Sequence, residues 1–158
     1  MYETIIVGRR PTGRTAAAYH EAGHAVAALA YRLPVVEARL QGDGGEVRFD
    51  QAAATQRQLA VVTAAGPVAE LRRCGGIDLH GAWGRGGRGS DRRLLDAAAD
   101  RLAGRLDAAA RQHLLDGIAS AAHRLLGDHW PAVTAVARAL LRRGRLSGAA
   151  LRRVVRGA

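Results

Sequence analysis

The run Tyr19-His20-Glu21-Ala22-Gly23-His24 places two histidines four residues apart, with a glutamate directly after the first. On an α-helix four residues advance about 400°, so His20 and His24 stack on one face, where two imidazoles can grip one metal ion. Glu21 is turned away from them by about 100°. Its carboxylate can then reach water at the metal without being a ligand, the division of labour of zinc peptidases: two histidine ligands and a general base. The surrounding segment is apolar and alanine-rich, a setting that favours a built site over a chance pair of histidines.

Two imidazoles leave a catalytic zinc one protein donor short, because such sites use three and keep a position for water. The sequence offers three candidates: Glu70 in the second helical segment, His80 in a glycine-rich stretch, and Asp91 where that stretch enters the next helix. Spacing does not choose among them, since a third ligand is delivered by the fold.

The elements that must position these groups are mostly helical. A helix is expected over Ala16 to Arg32, capped by Thr15 and closed by Pro34, which lacks a backbone donor. Val35 to Leu40 and Glu46 to Phe49 alternate in polarity around Gln41-Gly42-Asp43-Gly44-Gly45 and read as a β-hairpin, the only β structure of consequence. Ile5 to Val7 suit a strand or docked arm within an N-terminal arm, residues 1–14. Gln51 to Arg73 reads as a second helix interrupted or kinked at Gly66-Pro67. Seven glycines between Gly75 and Gly89 make a loop longer than a connector needs. Ser90 then caps a helix to Leu106, and further helices are expected from Asp107 to Leu126, Pro131 to Arg143 and Ser147 to Arg156. The fold class is therefore mainly α with a small β-hairpin.

The 158 residues suit one domain. The longest uncharged, mostly apolar run, Leu59 to Ala69, is far below the roughly 18 residues of a membrane span, and no secretory signal is evident in the first residues. No membrane association is expected. Cys74, the only cysteine, reads as a buried small residue and fits a cytoplasmic location. Net charge is +10, and all 24 basic residues are arginine. That excess would attract nucleic acid or acidic partners, but no zinc-finger spacing or RNP-type aromatic motif is present. Trp83 suits a loop anchor or a lid, and His113, His123 and His129 read as surface or packing residues.

The run Ala16 to Ala27 resembles the zinc helix of the FtsH-like peptidases, the proteolytic domains of membrane-anchored AAA proteases. In that family the third ligand is an aspartate at a loop-to-helix junction, following a helix that ends in an Ala-Glu pair. Here Ala69-Glu70, the glycine-rich stretch and Ser90-Asp91-Arg92 match that order, so the resemblance implies Asp91 as third ligand; Glu70 is its main rival, ahead of His80, and otherwise reads as a supporting or packing residue. The stretch His129-Trp130-Pro131 to Gly148 is similar to the family's last helices. Departures exist: Ala65-Gly66-Pro67-Val68 stands for the usual Gly-Gly-Arg, Arg88-Gly89-Ser90 stands for the usual approach to the ligand, and no lysine is available for an ATPase phosphate loop.

Together these readings lead to the expectation of a zinc-dependent endopeptidase acting on unfolded or flexible protein segments without an attached motor. Zinc is held by His20, His24 and Asp91, and Glu21 is the general base. The strand Glu46, Val47, Arg48 and Phe49 is expected to bind an extended substrate by strand addition. A separate ATPase, or a homo-oligomeric ring, is a partner the resemblance allows. The alternative is a nucleic-acid or regulatory binding module on a peptidase-like fold.

Overall fold

The computed structural model describes residues 4–6, 13–75, 90–104 and 106–158. His80, Trp83 and the stretch 76–89 lie outside these residues, as do residues 1–3 and 7–12 of the expected N-terminal arm. The element order is β1 (Thr4–Ile6), α1 (Gly13–Ala30), β2 (Val35–Gln41), β3 (Gly44–Phe49), α2 (Gln56–Arg73), α3 (Ser90–Ala103), α4 (Ala108–Asp128), α5 (Trp130–Arg143), β4 (Arg145–Ser147) and α6 (Gly148–Arg156). The chain is thus mainly helical with a small antiparallel sheet.

Helix α1 lies at the centre, with the sheet against one side and α2 and α5 against others. It starts at Gly13 and runs through Thr15, so Thr15 is not its cap. Its end differs from expectation as well. Arg32 takes a left-handed conformation (φ 58°), and the amides of Arg32 and Leu33 bond back to the carbonyls of Leu29 and Ala28, both at 2.9 Å. This is the helix-terminating arrangement usually built on glycine, and it turns the chain before Pro34 so that β2 folds back along α1.

The expected hairpin is present, with a two-residue turn in which Gly42 supplies a positive φ of 57°. It is not the whole of the β structure. Strand order is β1-β3-β2-β4, all neighbours antiparallel. The two outer strands are three residues long: β1 falls on the apolar run read as a strand or docked arm, one residue earlier than expected, and β4 is too short for alternation to reveal it. On the outer face, Glu37 pairs with Arg48 of β3 at 3.0 Å and accepts from Nε of Arg145 in β4 at 2.6 Å, while Arg39 pairs with Glu46 at 2.5 Å. These pairs occupy several of the arginines that give the chain its charge.

Helix α2 begins later than expected, after a 3-10 turn at Gln51–Ala53. A capping box fixes its start, the Thr55 hydroxyl accepting from the Gln58 amide and the Gln58 side chain from the Thr55 amide. It continues through Pro67 without interruption. Asp107 and Ser147 cap α4 and α6, and α5 ends at Gly144 in the left-handed region. Cys74 is exposed rather than buried, because it terminates α2 and faces away from the core. The buried residues form one hydrophobic cluster in which alanine is the commonest member. Helices α1 and α2 meet through these small residues: a Cβ on Gly23 would lie 2.7 Å from Cβ of Ala69 and closer still to the Ala65 carbonyl. At the far end of the contact, Tyr19 packs on Trp130 of α5, with Arg73 and Arg72 over the respective rings.

Candidate metal centre

The close approach of α1 and α2 sets the geometry of the two histidines. His20 and His24 project from α1 with ring centroids 4.8 Å apart and planes 74° to one another. Helix α2 passes beneath them at Gly66, where a Cβ would lie 2.7 Å from His20 Nε2 and nearer still to His24 Nε2. Sequence reasoning took Gly66 as a kink. Its role is to leave the imidazoles room, a purpose that only the packing of the two helices discloses.

Each ring is held by the nitrogen that faces away from the centre. His24 Nδ1–H donates to the carbonyl of Val62 at 2.7 Å, and His20 Nδ1 lies 3.3 Å from Glu70 Oε2. Both contacts come from α2, and both direct Nε2 inward. Asp91, in the first turn of α3, meets them there: its Oδ2 is 2.9 Å from His20 Nε2 and 3.8 Å from His24 Nε2. One ligand atom from each of the three residues lies within 4.8 Å of the others, and all three residues are buried. Of the third-ligand candidates, the structure places Asp91 at the convergence point and Glu70 behind His20.

Burial and pairing set the protonation of these groups. Burial works against a charged His20, but hydrogen bonds with Asp91 and Glu70 outweigh it and raise its pKa to about 10. Burial also opposes ionisation of Asp91, yet its bonds to His20 and His24 hold it well below the usual carboxylate range. Glu21 is different. It is fully buried, and burial raises it to about 7 against the pull of both histidines. Gly45 of β3 abuts it, since a Cβ there would lie 2.7 Å from Glu21 Cγ.

The donor set suits a divalent ion. His24 Nε2, Asp91 Oδ1 and both carboxylate oxygens of Glu21 are buried without a hydrogen-bond partner, an expensive arrangement for an inert core. Two imidazoles and one carboxylate are a typical zinc donor set. Neither Glu70 nor Val62 is placed to ligate, and each serves to orient a ring.

The strand expected to bind substrate has both of its edges paired. β3 is an inner strand, with Glu46, Val47 and Arg48 paired to Ile6, Ile5 and Thr4 of β1 on one side and to β2 on the other. Val47 and Phe49 are core residues, and Glu46 and Arg48 are engaged with Arg39 and Glu37. The edge expected to be open is therefore filled. His113 and His129 are exposed and His123 is half-buried, all on or beside α4. Among the described residues no helix is long and apolar enough to cross a membrane. No protein-family model matches the chain, and no curated protein matches it either.

Proposed function

We propose that the chain is a metal-dependent endopeptidase, its zinc held by His20, His24 and Asp91, acting on unfolded or flexible protein segments in the manner of the FtsH-like peptidases it resembles. The observation that carries this reading is the convergence of His20 Nε2, His24 Nε2 and Asp91 Oδ2 beside the buried, unpaired carboxylate of Glu21. A divalent ion in that position supplies Lewis acidity toward a peptide carbonyl and acidifies water. Glu21 would accept the proton of the attacking water and pass it to the departing amine nitrogen, a role for which its buried carboxylate, free of any hydrogen-bond partner, is available. Glu70 and the Val62 carbonyl keep the two imidazoles in the tautomer that presents Nε2 inward.

Elemental analysis of the purified chain, followed by casein digestion with and without chelator, tests the reading. One zinc per chain and chelator-sensitive digestion that disappears in Glu21→Gln are the expected results. Absence of metal at stoichiometric level, or digestion unchanged in Glu21→Gln, overturns it. A separate ATPase delivering unfolded chains fits the same reading. Salt-sensitive binding of duplex DNA that is unaffected by Glu21→Gln would favour the binding-module alternative instead.

A further inference from the structure

The position of β1 carries an inference beyond the metal centre, and it rests on the peptidase reading for its functional meaning. β1 pairs antiparallel with β3 along Thr4–Arg48, Ile5–Val47 and Ile6–Glu46. It also touches α3, the helix that carries Asp91. The segment therefore lies between the two walls of the candidate site. Its pairing ends at Ile6, opposite Glu46, and the next residue of β3 is Gly45, against which the Glu21 carboxylate rests. The last paired residue of β1 thus lies opposite the neighbour of the glycine that abuts the proposed general base.

We infer that the cleft between β3 and α3 is a binding site for an extended peptide strand, and that the chain's own residues 4–6 occupy it in cis as a built-in competitor of substrate. Recognition there is by backbone hydrogen bonds to β3, so the ligand class is an unfolded segment of little sequence preference. A ladder of three residues is short, and its hold comes from tethering: a competitor on the same chain acts at an effective concentration on the order of millimolar. Substrate must displace it, and release of the arm opens the site.

The full-length double variant Thr4→Pro/Ile5→Pro tests this, because adjacent residues of a strand point their amides to opposite sides and one of the two prolines must remove a donor facing β3. A fluorescein-labelled peptide with the sequence of residues 2–8 is titrated by anisotropy in the Glu21→Gln background, which excludes cleavage from the readout. The expected result is about tenfold tighter binding to the proline variant than to the chain with an unaltered arm. Equal binding by both overturns the inference. If the proline variant fails to fold, hydrogen exchange on the unaltered chain decides: excess peptide should deprotect the amides of Thr4 to Ile6, and unchanged protection overturns the proposal. Tighter peptide binding without casein digestion by any form would uphold the strand site while removing the peptidase reading. With Glu21 restored, the proline variant should digest casein with KM lowered about tenfold and kcat unchanged, and an unchanged KM overturns the inference.

Discussion

The α-carbon of Gly66 backs onto the imidazole of His24 so closely that no side chain fits between α2 and the ring. Helix propensity alone makes Gly→Ala at a helix interior favourable by roughly 0.5–1 kcal/mol. At Gly66 the sign reverses. Gly66→Ala should destabilise the fold by about 1–3 kcal/mol through overpacking and should abolish stoichiometric zinc uptake. Thermal melts and elemental analysis of the variant check both effects, and a more stable variant with zinc intact would contradict the packing described.

If His20 is a zinc ligand as proposed, Glu70 would act on the metal through it. Glu70→Ala should lower zinc affinity about 10–100-fold, with Glu70→Gln less affected because the amide oxygen still accepts from Nδ1. Competition with a chromogenic chelator measures this. Equal affinities in all three proteins would mean that the 3.3 Å contact with His20 does not position the ring.

Removal of the Glu21 charge should separate chemistry from stability. Glu21→Gln is expected to reduce kcat by about 10²–10⁴-fold while zinc remains bound. In chelator-treated protein the same change should raise the melting temperature above pH 7, because it replaces a fully buried, unpaired carboxylate with a neutral group. A lower melting temperature there would show that the carboxylate is satisfied in solution.

Chelator-treated protein should have a pH optimum of stability on the acidic side. His20 titrates at about 10 in the fold against 6.5 ordinarily, so its contribution is complete below about 6.5 and is lost as pH rises toward 10. Glu21, raised from 4.5 to about 7, favours the fold while protonated, and that benefit fades as pH climbs through this interval. Asp91 has the opposite sense: its depressed value stabilises the fold above 3.8, and this is lost as pH falls. Melting temperature should therefore decline from about pH 6 to 9 without metal. Zinc should flatten or reverse that slope, since its ligands bind deprotonated and uptake releases the His20 proton. Parallel melts with and without chelator decide the matter, and identical slopes would refute it.

Much of the site could be read from the chain because helical spacing is local. His20, Glu21 and His24 need only 3.6-residue periodicity to be placed relative to one another. Asp91 is different in kind: spacing left it level with Glu70 and His80, and only the likeness to FtsH-like peptidases singled it out. The β2–β3 hairpin carried its own turn signal at Gly42 and β1 a short apolar run at Ile5, whereas β4 exists through pairing with β2, distant in sequence, and has no local signature. Arg32 occupies a conformation that its residue type disfavours, so the end of α1 was drawn two residues late. Gly66 and Gly45 looked like breaker and turn residues, because the side chains that crowd them belong to another element. Cys74 seemed apolar enough to bury, but its exposure follows from where α2 stops.

An interior filled largely by alanine has an unequal response to change. Shaving a methyl group removes little, because little was there, and neighbouring backbones already touch. Adding one forces helices apart, and the helices in question are the two that aim the imidazoles. Sequence drift in this molecule is thus confined from above by volume rather than from below by lost contacts, and the spacing of His20, His24 and Asp91 would be the first property to register an oversized residue anywhere along the α1–α2 seam.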